Sequence, residues 1–440
     1  MTVTVALFTR DLRVHDNPVL SAAHRAGDAV VPLFVVDESM FAGPNASPNR
    51  LRFLAAALRE LDDELRRIGG RLIVRRGKVV DEVERVVSET GAGGVHIAAE
   101  VSRFGTRRER LLRERLDTRD CRVQVHTASV TSVDPGGLRP SSGRDHFAVF
   151  SPYLRRWEAA QRRTVLGAPR HLTVPDIASE DPGSVGLDAG SASPQLRVGG
   201  ETTGRKLLRR WLSGPVGEYA DSNDDLTADA TSRLSPYLHF GCLSAGEVLA
   251  RIDMSDPGGY AFARQLAWRD FHHQVLAARP DAAHSDYRPG PIEVRPDAQA
   301  FEAWAAGQTG FPIVDAPMRQ LREEGWMPGR ARLITASFLA KTLRGGWRGG
   351  ADHFRYWLVD GDLANNQMNW QWVAGTGTDT RPNRTLNPLR QAQRFDPDGS
   401  YTRRWLPELS RLDGAAIHRP WRADIDPATY PAPIVEVPGM

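Results

Sequence analysis

The stretch AVVPLFVVD (29–37) decides how the first third of the chain is read. Four of its nine residues are valine, and its single polar residue is the last. A strand with one wet face alternates apolar and polar residues; a run that does not alternate belongs to a strand covered on both faces. The next periodic segment, LRFLAAALRELDDELRRIG (51–69), sets Leu51, Leu54, Leu58, Leu61 and Leu65 at helical spacing. The same alternation extends outward. VTVALFT (3–9) precedes it, and RLIVRR (71–76), GVHIAAE (94–100) and CRVQVHT (121–127) follow. Short apolar strands separated by helices predict a doubly wound parallel α/β sheet over 1–130. No GxGxxG follows the first strand, which argues against the usual dinucleotide fingerprint. The cleft beyond the strand ends stays open to a ligand.

From 131 to 200 the pattern weakens. SVDPGGLRPSSGRD and ASEDPGSVGLDAGSASPQLRVGGE are rich in turn residues and predict a long linker. Inside it, FAVFSPYLRRWEAA is apolar enough to dock on a neighbour. From 201 to 440 the segments RKLLRRWL, AGEVLARI, YAFARQLAWRDFHHQVLA, PIVDAPMRQLREEG, RARLITASFLAKTL and DHFRYWLVDG fit helical spacing. This part predicts an all-α domain large enough to enclose a bulky cofactor. All eleven tryptophans lie after residue 150, so the two halves differ in architecture.

The 440 residues suit two domains. No apolar run reaches membrane-spanning length and no signal peptide is evident, so a cytoplasmic protein without a membrane partner is expected. Cys121 and Cys242 are read as two buried thiols. The net charge is only +3, yet lysine occurs just at 78, 206 and 341 and every other basic residue is arginine. A GC-rich genome explains that balance; phosphate recognition by guanidinium groups would too.

Four segments could carry chemistry. In LVDGDLANNQMNWQWVAGTGTDTRPNR (358–384), Asp360 and Asp362 flank Gly361. They read either as solvated residues of a helix end or as a buried carboxylate, which needs a cation such as Arg330 or Arg332. Trp370 and Trp372 would face different sides of one helix. Trp347, among glycines in LRGGWRGG, suggests a loop packed on something rather than core. TSRLSPYLHFG (231–241) offers Thr231, Ser232 and Ser235 as helix caps, as phosphate ligands, or both. QLAWRDFHHQVL (265–276) interleaves aromatics with Arg269, which suits nucleic acid or an ordinary amphipathic helix. No metal is expected: His272 and His273 lack companions at ligand spacing. There is no Walker motif, GxSxG or HExxH.

Taken in order, FTRDLRVHDNPVL, TSRLSPYLHFG, LAWRDF, TGFPIVDAPMRQL, ITASFLAKTL, DGDLANN, WQWVAGTGTD and LNP resemble the motifs of the photolyase/cryptochrome family across nearly the whole chain. The flavour is closest to actinobacterial-type cyclobutane pyrimidine dimer photolyases. The resemblance implies an α/β antenna domain, a linker and a helical domain holding FAD. It implies that Tyr219, Thr231, Ser232, Arg233, Leu234 and Ser235 bind the FAD phosphate region. Asp360, followed by Gly361, would pair with Arg332 beside the flavin. Asp362 would meet the adenosine side, Asn366 would face flavin N5, and Arg269 joins the cofactor set. Gln265, Trp268, Arg330, Trp372 and Gln391 would contact the lesion. Trp370 and Trp347 would pass electrons to the flavin.

The implied activity is a carbon–carbon lyase: light-dependent repair of pyrimidine dimers in UV-damaged DNA by electron transfer from reduced FAD. The alternative is a cryptochrome-like blue-light receptor that binds FAD without efficient repair. A monomer is expected. The antenna chromophore, near Arg10, Asp37 and AEVSRFGTRRER, would be 8-hydroxy-5-deazaflavin or else 5,10-methenyltetrahydrofolate. Four places depart from the family pattern. Gln265 replaces a glutamate, Pro328–Gly329 replaces His-Asn, Leu333 replaces a methionine, and Val294 stands where an outer tryptophan is expected.

Overall fold

The structure is a computed structural model and describes residues 1–37, 39, 46–185, 190–423 and 425–440. Residues 186–189 of the predicted linker loop lie outside the described residues. The chain forms two compact units: 1–192 with 197–217 and 232–280, and 193–196 with 218–231 and 281–440.

The first unit carries the expected sheet. Its strands are β1 (Val3–Leu7), β2 (Ala29–Val36), β3 (Ile73–Arg76), β4 (Gly94–Ala98) and β5 (Arg122–His126), all parallel in the order β3-β2-β1-β4-β5. Every residue of β1 and β2 is buried, as their unbroken apolar runs require. Pro32, in a strand with neighbours on both sides, costs no ladder bond. Phe8 N donates to Leu33 O at 2.8 Å, so Leu33 turns its polar groups to β1 and Pro32 turns away from it. On that other side, pairing with β3 begins only at Leu33–Ile73.

Helices α1 (Pro18–Ala26), α2 (Pro48–Arg67), α3 (Val79–Thr90) and α4 (Arg103–Asp117) connect the strands. Asn17 caps α1 by accepting from Leu20 N, with Pro18 at its first turn. The unit also holds α5 (Phe150–Glu158), α6 (Glu201–Leu212), α8 (Ser235–His239), α9 (Ala245–Ala250) and α10 (Pro257–Ala278). The FAVFSPYLRRWEAA segment docks as expected: α5 packs on α10, with Phe150 stacked on Trp268 at 3.7 Å and Trp157 Nε1 donating to Asp270 Oδ2 at 3.0 Å. Of the two readings of α10, the amphipathic helix does not hold. Residues 270–276 are buried in succession, so no wet stripe runs along that part of it.

The second unit is helical: α7 (Tyr219–Ser222), α11 (Ala298–Ala306), α12 (Pro312–Glu324), α13 (Gly329–Ser337), α14 (Arg348–Trp357), α15 (Leu363–Ala374), α16 (Pro388–Phe395) and α17 (Ser400–Trp405). The segment RARLITASFLAKTL is not one α-helix, because α13 passes into a π-helical turn at Phe338–Thr342. The core gathers Trp304, Phe311, Phe338, Trp347, Phe354 and Trp370. Trp347 stands in the loop just before α14, as expected, yet it is 3% exposed and belongs to the core, which was not expected. Cys121 and Cys242 are free and buried, as expected.

Candidate functional site

The second unit places most of the predicted cofactor residues around α15. Asp362 starts the helix, accepting from Asn365 N and Nδ2 at 2.8 and 2.7 Å, and Gly375 ends it in the left-handed region at φ 81°. Neither aspartate is solvated: Asp360 is 7% exposed and Asp362 5%. Asp360 Oδ2 accepts from Arg332 Nη2 at 2.8 Å, and Arg332 Nε is anchored on Met327 O at 2.9 Å. The buried-pair reading of DGD is therefore the one observed. Asn366 spends both amide hydrogens, on Ala351 O at 3.0 Å and Gln367 Oε1 at 2.9 Å. What its side chain can offer a ligand is an acceptor oxygen.

Polar atoms of this unit remain buried without a hydrogen-bond partner: Asp360 Oδ1, Thr231 Oγ1, Trp370 Nε1 and Gln391 Oε1. Stranding such an atom costs about 1–3 kcal/mol. Of these, the Asp360 carboxylate oxygen and the Thr231 hydroxyl belong to predicted cofactor residues, and an acceptor with a hydroxyl that can donate suits a ligand with both donors and acceptors. A flavin dinucleotide is such a ligand, so the residues present fit FAD. Tyr219 is also buried, and burial with the nearby Asp224 charge raises its phenol pKa. Gly361 is buried between the two aspartates.

The tryptophans split as their spacing requires. Trp370 is 2% exposed and meets Phe354 edge-on at 4.9 Å and Trp304 at 6.0 Å. Gly350 makes this possible, because a Cβ there would collide with the Trp370 ring. Trp372, two residues on, is only half-buried. Trp347 Nε1 donates to Asp286 Oδ1 at 2.8 Å. Val294 is 54% exposed and lines a recess of about 240 Å³ together with Trp347 and Asp286. Of the remaining predicted lesion contacts in this unit, Arg330 pairs with Asp224 and lies over Phe395, and Gln391 is half-buried on α16.

Sequence reasoning missed Gln367 and Gln371. Set four apart on α15, they bind Ala283 O at 2.8 Å and Ala282 O at 2.6 Å, while Tyr287 N donates to Gln371 Oε1 at 2.7 Å. They pin the segment that carries Asp286. The signal was two buried-side amides at i, i+4 within NNQMNWQW.

In the first unit, the 232–235 run is not a cap. Leu234 occupies the cap position of α8 without a side-chain bond, and Ser232 Oγ accepts from Leu234 N at 3.3 Å. Arg233 sits at φ 51°, a costly conformation for a bulky residue. On α10, Gln265 is exposed and Trp268 half-buried, while Arg269 is anchored on Val130 O at 2.8 Å and Leu238 O at 3.3 Å. Beyond the C-terminal ends of β1, β4 and β5 lies a cavity of about 190 Å³ lined by Arg10, Glu100, Thr106, Thr131 and His273. Asp37 accepts from Ser39 N at 2.9 Å and Val79 N at 3.3 Å.

The chain matches two family descriptions: DNA photolyase over residues 4–173, and the FAD binding domain of DNA photolyase over 262–439. It is 56% identical to a deoxyribodipyrimidine photo-lyase of Streptomyces griseus, over 99% of this chain and 97% of that one. Among solved structures, a bacterial class III photolyase from Agrobacterium tumefaciens superposes with a TM-score of 0.91 at 32% identity, covering 99% of this chain and 94% of that one. A Synechocystis sp. cryptochrome gives 0.90 at 29% identity, over 99% and 96%. With its parallel-sheet unit, its buried polar constellation and these likenesses, the chain belongs to the photolyase/cryptochrome family and carries that family's FAD-binding domain.

Proposed function

We propose that the protein is a light-dependent deoxyribodipyrimidine photo-lyase that splits cyclobutane pyrimidine dimers in DNA. The observation that carries this reading is the buried Asp360–Arg332 pair, whose Asp360 Oδ1 is left without a partner. Reduced FAD, when bound and illuminated, supplies an electron to the dimer and takes it back after the ring opens.

The chain's own residues bind and orient. Arg332 fixes one oxygen of Asp360, which leaves the other to accept a hydrogen bond from the cofactor. Asn366 offers an acceptor to a flavin N–H. Asp362, Tyr219 and Thr231 complete the cofactor set of the second unit. Ser232, Arg233, Leu234, Ser235 and Arg269 are assigned to the cofactor as well. Trp370 and Trp347 deliver electrons that bring oxidised flavin to its reduced form.

Gln265, Trp268, Arg330, Trp372 and Gln391 are assigned to the lesion. A dimer stacks poorly, so flipping it out costs less than the few kcal/mol needed for a normal nucleotide. Trp268 and Trp372 return stacking energy of about 1–3 kcal/mol per base. A monomer suffices for this chemistry. The cavity at the ends of β1, β4 and β5 is assigned to the antenna chromophore. Its place beyond the strand C-termini supports that, and 8-hydroxy-5-deazaflavin is favoured over 5,10-methenyltetrahydrofolate. The photoreceptor alternative is not favoured at 56% identity to a photo-lyase.

The test is fluorescence anisotropy with labelled oligothymidine, UV-irradiated or not, in the dark and then under blue light. Preference for irradiated DNA in the dark, weakened by Trp268→Ala or Trp372→Ala and abolished by light, is the expected result. Equal binding to both DNAs would overturn the reading.

A further inference from the structure

We propose that Asp286 accepts the indole proton of Trp347 when Trp347 gives up an electron, so that the missing electron comes to rest on Trp347 as a neutral radical. The inference rests on the photolyase reading, in which Trp370 and Trp347 carry electrons to the flavin.

Three observations support it. Trp347 Nε1–H points at a carboxylate, Asp286 Oδ1, at 2.8 Å. Arg348 Nη2 donates to the same oxygen at 2.9 Å while its Nε is fixed on His284 O at 2.9 Å, so the Asp286 carboxyl is held in place and aimed at the indole. The Asp286 side chain is 37% exposed and lines the recess shared with Trp347 and Val294, which gives a proton a way out to water. Val294 has no ring to oxidise, so the electron chain needs another way to stop the charge from returning.

The step balances as follows. Trp347 passes one electron to the oxidised Trp370 ring. An indole that has lost an electron is a far stronger acid than the neutral ring. Its Nε1–H bond breaks, the bonding pair stays on nitrogen, and an Oδ1–H bond forms on Asp286. The products are a neutral tryptophanyl radical and a neutral carboxyl group, which releases its proton to water. A thiol reductant then returns one hydrogen atom to Nε1 and becomes a thiyl radical.

The test is time-resolved absorption after a light pulse on the FAD-loaded, oxidised protein, comparing wild type with Asp286→Asn, Asp286→Glu and Trp347→Phe. Asparagine still accepts from the indole, which the Trp347 indole ¹⁵N–H resonance would show, but it cannot take the proton. In the wild type the tryptophan cation-radical band gives way to the neutral-radical band. In Asp286→Asn that exchange slows about 100-fold, and Asp286→Glu restores it. Should Asp286→Asn not hold FAD, Asp286→Ser is read in its place. Unchanged band exchange in the asparagine or serine variant overturns the role of Asp286. If Trp347→Phe leaves photoreduction unchanged, the electron route of the proposed function fails, and this inference with it.

Discussion

The two units supply contrasting cases of polar burial, although each leaves buried polar atoms without a partner, Asp270 Oδ1 in the first among them. In the first, Arg13 is 1% exposed, yet its guanidinium donates to Asp16 O, Gly241 O and Ser129 O. Gln274 likewise bonds both the N and the O of Phe147. In the second, Asp360 is just as buried but uses only one carboxylate oxygen. Burial that closes on itself holds a fold together, while burial that leaves an atom open costs stability and keeps a place for a ligand.

The sharpest way to break the contrast is Arg332→Leu, which strands the Asp360 charge. About 4 kcal/mol of stability should be lost together with bound FAD, read from the denaturant midpoint and the flavin absorbance. Leu33→Ala in β2 is the matched change in a closed core: about 3 kcal/mol by the same unfolding measurement. Its side chain is fully buried in the hydrophobic cluster of the sheet.

A smaller effect follows from Glu201, whose carboxyl accepts from Val14 N at 2.7 Å and His15 N at 3.2 Å. Burial pushes its pKa up to about 7 from 4.5. The folded state therefore prefers the protonated acid. That contribution is complete below pH 4.5 and is lost as pH rises through about 7. Between pH 5 and pH 8 the wild type should lose about 2 kcal/mol relative to Glu201→Gln, measured as the difference between their urea midpoints.

The smallest is Gly329→Asn. A Cβ there meets nothing within 4 Å, so the change fits without strain. If it adds one hydrogen bond to the lesion, binding of irradiated oligothymidine tightens about fivefold, read by anisotropy.

The sheet was legible because an apolar run such as 29–37 has only one stable environment. The helical half was legible as helix but not as packing. The amphipathic expectation failed for α10 because its polar residues, Asp270 and Gln274, are buried against partners that lie more than 100 residues away in sequence. The N-cap expectation at 231–235 failed because Arg233 takes a left-handed conformation that sequence does not announce. Trp347 was misjudged for a related reason. The glycines around it mark close packing, as the clash of a Gly350 side chain with Trp370 makes plain. Charge balance left Arg330 and Arg332 open as partners of a buried aspartate and the family resemblance implied the Asp360–Arg332 pair, but the open oxygen of Asp360, and the staple formed by Gln367 and Gln371, needed coordinates.

The most direct measurement of the central claim uses the reduced, FAD-loaded protein and UV-irradiated oligothymidine, with near-UV or blue illumination and a dark control. The account predicts that the thymine absorbance band recovers in the light alone, and that Arg332→Leu protein, which has lost its flavin, recovers none of it. A wild-type protein that shows a full flavin spectrum yet leaves the dimers intact in the light would contradict it.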